Sequence, residues 1–125
     1  MPPTLPAPKT LLLVEDQPAT REALAAVLRS EGYRVVTAAS GGEATRHVSA
    51  GPLPNLILLD TRLPGAAGEG FLERRRSDAA LSAVPLVLLT EANVGPEWAG
   101  PLRPAGALCK PVSLDGLLSL IETLA

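Results

Sequence analysis

The stretch NLILLD, Asn55–Asp60, decides the fold. Four apolar residues run without a break, and a carboxylate closes them. A half-exposed strand would alternate, and a surface helix would repeat every three or four residues. An unbroken run this short is the pattern of a strand covered on both faces. Two further stretches share it: TLLLVE at Thr10–Glu15 and PLVLLT at Pro85–Thr90. YRVVTA at Tyr33–Ala38 is more mixed, which suits an edge strand. ALCK at Ala107–Lys110 is a weaker fifth candidate.

Helical patterns separate these runs. Pro18 fits a first helical position, and Leu24, Val27 and Leu28 form an apolar stripe that Gly32 stops. GGEATRHVSAG places Ala44 and Val48 inward. GEGFLERRRSD places Phe71 and Leu72 inward and its arginines outward. In SLDGLLSLIETLA, Ser113 is the expected N-cap, with Leu114, Leu117, Leu118, Ile121 and Leu124 at helical spacing. Strands alternating with helices imply βαβ units, hence an α/β domain with a parallel sheet and helices on both faces. In such sheets the working site lies at the C-terminal ends of the strands.

Composition narrows the function. The 125 residues suffice for one domain with a core. Aromatic residues are scarce, so Leu, Val, Ile and Ala must build that core. A net charge of −2 argues against direct nucleic-acid binding, which needs clustered Lys and Arg. The single cysteine, Cys109, fits a reducing compartment and is expected to point into the core as a small hydrophobe. The start, MPPTLPAPK, lacks the apolar core of a signal peptide, and no run nears the ~20 apolar residues of a membrane span. A cytoplasmic protein without membrane contact is expected. Residues 1–8, rich in proline, read as a flexible tail, and 9–125 as the domain.

The polar groups at the strand ends carry the chemistry. Strand one ends in Glu15 and Asp16, strand three in Asp60, strand four in Thr90 and strand five in Lys110. Each alone is ordinary turn chemistry. Together they gather at one edge of the sheet. Three crowded carboxylates repel one another and need a cation. Oxygen ligands without His or Cys favour Mg²⁺. A cation, an ammonium and a hydroxyl around one carboxylate suit a transferred phosphoryl group, with the carboxylate as nucleophile.

At this point LLLVEDQP, LILLDTRLPG, LVLLT and LCKP resemble, in order and spacing, the motifs of response regulator receiver domains. The resemblance runs from about Lys9 to Ala125. It implies a single (βα)5 flavodoxin-like doubly wound domain with strand order 2-1-3-4-5. It implies that Asp60 is the phosphoacceptor, and that Asp16 and Asp60 bind Mg²⁺ directly. Glu15 would act through water, and the backbone carbonyl of Arg62 would add a ligand. Lys110 and Thr90 would contact phosphoryl oxygens. The implied donor is a phosphohistidine on a sensor histidine kinase or histidine phosphotransfer protein. The downstream protein is unknown, and a weak homodimer fits the family.

The chain also departs from the family. Leu63 replaces a frequent Met, and GAAG at 65–68 replaces a usual Gly-Met-Asp-Gly. Glu91 stands where a small residue is usual after Thr90, and if it points inward it hinders phosphate access or repels the phosphorylated state. Arg62 and Ala92 occupy positions that tune dephosphorylation. Ala107 stands where the family usually carries an aromatic ring that turns inward as the Thr moves. The segment Glu91–Ala107 holds Pro96, Pro101 and Pro104, so a short or irregular fourth helix is expected there. Trp98 in that segment reads as a cap over the local core or an exposed anchor. His47 reads as a surface residue.

Three functions compete. The first is a phosphorylatable signalling receiver, catalysing only its own phosphorylation and dephosphorylation. The second is a pseudo-receiver, an interaction module that ignores phosphorylation. The third is a hydrolase with an aspartyl-phosphate intermediate, which Arg62 disfavours because such enzymes resemble one another in carrying a second Asp there. A stand-alone receiver and a part of a longer regulator or hybrid kinase both fit.

Overall fold

A computed structural model of the chain describes residues 8–62, 65–91 and 104–125. In order, the elements are β1 (Thr10–Val14), α1 (Pro18–Ser30), β2 (Arg34–Ala38), α2 (Gly41–Ala50), β3 (Leu56–Asp60), α3 (Gly65–Ser77), α4 (Ala79–Ser82), β4 (Leu86–Thr90), β5 (Gly106–Cys109) and α5 (Leu114–Leu124). The five strands form one sheet of order β2-β1-β3-β4-β5, and every pairing is parallel. This is the flavodoxin-like arrangement, with the mixed strand β2 at an edge.

The apolar runs are continuous because the sheet is covered twice. Period-two alternation sends Leu12, Val14, Ile57 and Leu59 to one face, where they pack with Ala44, Val48, Phe71 and Leu81. It sends Leu11, Leu13, Leu56 and Leu58 to the other, where they meet Ala25, Leu28, Leu117 and Ile121. All of β3 and β4 is buried.

Local chemistry sets the helix ends. Pro18 opens α1, and Gly32, with φ +96°, takes the left-handed backbone that turns the chain toward β2. Ser40 caps α2 by accepting from Glu43 N, while the Glu43 carboxylate accepts from Ala39 N. Ser113 caps α5 by accepting from Gly116 N at 3.3 Å.

Three local expectations need correction. Arg75 does not face outward: it is buried at 6 % exposure. It lies one turn beyond Phe71 on the inward face of α3, and its Nη2 donates to Ser82 O at 3.3 Å and Val84 O at 2.8 Å. Ser82 ends α4, a single turn capped by Asp78, and Val84 follows it. That turn is too short to show any periodicity in the sequence. Cys109 is exposed rather than inward, because β5 turns Gly106 and Leu108 toward the protein and Ala107 and Cys109 away. Leu114, at the first position of α5, is 41 % exposed.

The expected irregular fourth helix, with Pro96, Pro101 and Trp98, falls in residues 92–103, outside the described residues. So do Leu63 and, apart from Pro8, the expected tail. His47 is exposed on α2. Among the described residues no helix is long and apolar enough to cross a membrane.

Candidate functional site at the C-terminal rim

Register brings the strand ends level. Val14 pairs with Leu59, Asp60 with Leu89 and Thr90 with Cys109. Glu15 and Asp60 therefore finish neighbouring strands side by side, and Thr90 and Lys110 lie one strand further each. One carboxylate oxygen from each of Glu15, Asp16 and Asp60 lies within 4.8 Å of the others. Glu15 and Asp60 are fully buried.

Lys110 answers that charge. Its Nζ lies 3.2 Å from Glu15 Oε2 and 3.3 Å from Asp60 Oδ2. Burial alone would push the ammonium's pKa down, but the Glu15 and Asp60 carboxylates outweigh it and hold the pKa above its ordinary value. Burial, then the neighbouring Asp60, pushes the Glu15 carboxyl up. The backbone also feeds the site. Arg62 N donates to Asp60 Oδ1 at 3.0 Å, and Gln17 N donates to Glu15 Oε1 at 3.3 Å.

Two oxygens remain conspicuous. Asp16 Oδ1 and Asp60 Oδ2 are buried without a hydrogen-bond partner. Buried carboxylate oxygens are costly unless a cation or donor satisfies them. The donor set is all oxygen, and a hard divalent cation fits it.

The remaining expected residues fall as follows. Thr90 is buried at the end of β4, and its Oγ1 donates to Leu108 O at 3.4 Å. Glu91 is exposed but reaches over the site, with Oε1 3.2 Å from Arg62 Nη1 and 3.6 Å from Lys110 Nζ. Ala107 is exposed on β5 and supplies no ring. Ala92 lies outside the described residues. Arg21 was not foreseen: its Nη1 donates to Glu15 O at 3.1 Å and Asp16 O at 3.4 Å, tying the acidic loop to α1. The available signal was a basic residue near the start of a helix, where the dipole disfavours it.

Residues 11–122 match the family model described as the response regulator receiver domain. The chain belongs to that family. Receivers in general accept a phosphoryl group on an Asp with Mg²⁺ bound at an acidic site. They are signalling modules that interact with histidine kinases or phosphotransfer proteins.

Response regulator Rre1 of Synechocystis is 34 % identical over 120 residues, covering 94 % of this chain and 52 % of that protein. The chain thus spans about half the length of that curated relative. The receiver domain of sensor histidine kinase PA1611 from Pseudomonas aeruginosa, solved with a magnesium ion in its active-site cleft, is 29 % identical. It aligns at a TM-score of 0.82 over 94 % of this chain and 98 % of that one. Response regulator TrrA of Thermotoga maritima, in complex with Mg²⁺ and beryllium fluoride, is 27 % identical. Its TM-score is 0.79 over 94 % and 99 % of the two chains.

Proposed function

We propose that this receiver takes a phosphoryl group from a phosphohistidine donor onto Asp60 and signals by altered docking to another protein. One observation carries the reading. Asp60 Oδ2 is buried without a hydrogen-bond partner, beside the Lys110 ammonium and two further carboxylates. Asp60 Oδ attacks phosphorus as the bond to the donor's imidazole nitrogen breaks, giving an acyl phosphate and a neutral imidazole once that nitrogen is protonated. Lys110 turns from the carboxylates to the new phosphoryl oxygens. Thr90 trades Leu108 O for another of those oxygens. Asp16 and Asp60, with Glu15 through water and the Arg62 carbonyl, would hold Mg²⁺. Bound there, it neutralises the crowded carboxylates and the charge on the transferring group.

The donor is a sensor histidine kinase or a phosphotransfer protein, and the compartment is the cytoplasm. The chain's catalysis is confined to its own phosphorylation and dephosphorylation. Incubation with Mg²⁺ and acetyl phosphate tests this. A single phosphoryl mass gain that Asp60→Asn abolishes supports it, and no gain refutes it.

The pseudo-receiver reading draws on Glu91, which lies 3.6 Å from the ammonium that phosphate needs. It predicts neither a mass gain nor a beryllium fluoride adduct, with partner docking unchanged in Asp60→Asn.

A further inference from the structure

Glu91 is not one of the clustered carboxylates, yet it completes the surroundings of Lys110. The Lys110 ammonium donates a hydrogen bond to Glu15 Oε2 and makes ion-pair contacts with two further carboxylates. Lys110 Nζ has three carboxylate neighbours: Glu15 at 3.2 Å, Asp60 at 3.3 Å and Glu91 at 3.6 Å. The first two are fully buried, whereas the Glu91 side chain is 50 % exposed. The same Glu91 oxygen also accepts from Arg62 Nη1 at 3.2 Å. One oxygen thus bridges two cations that arrive from different loops, across the outer side of the Lys110 ammonium.

An incoming phosphoryl group needs the Lys110 donors. Asp60 is the nucleophile and Glu15 is locked by burial. The contact that yields most cheaply is the exposed one, since exposed ion pairs are weak and screened by salt.

We infer that Glu91 is an intramolecular anion, steadied by Arg62, which the phosphoryl group displaces from Lys110 on arrival. Glu91 lowers affinity for the phosphoryl group and slows its transfer without touching phosphorus. It is a regulator of the site rather than a catalytic residue. The inference deepens the phosphoacceptor reading and rests on it.

The test compares the full chain with Glu91→Gln and Glu91→Ala in Mg²⁺. Beryllium fluoride affinity is read by fluorine NMR, and acetyl phosphate transfer by mass. Both variants should bind beryllium fluoride about three- to tenfold more tightly and accept the phosphoryl group correspondingly faster. The advantage should shrink between about 0.05 and about 0.5 M salt, because a screened charge is what has been removed. A merely structural role for Glu91 would not produce that salt dependence. Equal or weaker binding by folded variants overturns the inference and leaves the phosphoacceptor reading intact. No adduct in any of the three overturns the phosphoacceptor reading, and this inference with it.

Discussion

Lys110 Nζ lies 3.3 Å from Asp60 Oδ2, joining the end of the edge strand β5 to the end of the central strand β3. Asp60 is fully buried and the lysine side chain only 16 % exposed. Burying either charge alone would be costly, and each offsets part of that cost for the other.

Removing the ammonium should therefore destabilise the fold as well as the chemistry. Lys110→Met leaves Glu15 and Asp60 facing each other without a cation. We expect a loss of about 2 kcal/mol, discounted from a fully buried pair because the lysine is partly exposed. Added Mg²⁺ should restore part of it. Urea unfolding with and without Mg²⁺ checks this, and an unchanged midpoint would refute it.

Asp60→Asn removes one of three repelling carboxylates and spares the Lys110–Glu15 contact. Without Mg²⁺ the variant should be more stable than the parent by about 1 kcal/mol. The stabilisation gained on adding Mg²⁺ should shrink at the same time. Thermal unfolding across a Mg²⁺ titration reads both effects.

Glu15 sets a pH dependence whose sign is opposite to the common one for carboxylates. Its pKa is raised above the ordinary 4.5 by burial, so the folded state binds the proton more tightly than the unfolded chain. Its contribution to stability is present in full below pH 4.5 and is lost as pH rises through the folded value. Glu15→Gln should flatten this part of the metal-free stability profile. Urea unfolding from about pH 4.5 to 7 tests it, and an unchanged slope in the variant counts against it.

Arg75 should matter for folding and not for phosphotransfer. Arg75→Met strips donors from Ser82 O, at the end of α4, and Val84 O, ahead of β4. Loss of about 1–3 kcal/mol is expected, with the acetyl phosphate rate unchanged under conditions where the variant is folded. A slowed rate in the folded variant would link α4 to the site.

The sheet was legible because burial on both faces leaves an unbroken apolar run, as Leu56–Leu59 shows. The gathering of acidic and basic groups was legible because each lies at a strand end, and parallel strands bring their ends to one rim. Side chains whose partners lie elsewhere were not. Arg75 reads as one more surface charge, since nothing in ERRR shows that Ser82 and Val84 present carbonyls to it. Cys109 faces outward because of the register of a short edge strand, and its apolar neighbours alone suggested the reverse. Arg21 acts through backbone carbonyls, which no residue pattern encodes. The position of Glu91 was conspicuous, but its reach to both Arg62 and Lys110 depends on how two long side chains lie.

Parallel strands also fix which way the domain can be held. Thr10 opens β1 and Asp60 closes β3, so the two lie at opposite rims, about 17 Å apart along a five-residue strand. A tether attached ahead of Lys9 anchors the protein by the rim away from Asp60, leaving the acidic cleft facing solution. Immobilised in that orientation, the domain keeps the rim that carries Glu15, Asp60 and Lys110 unobstructed.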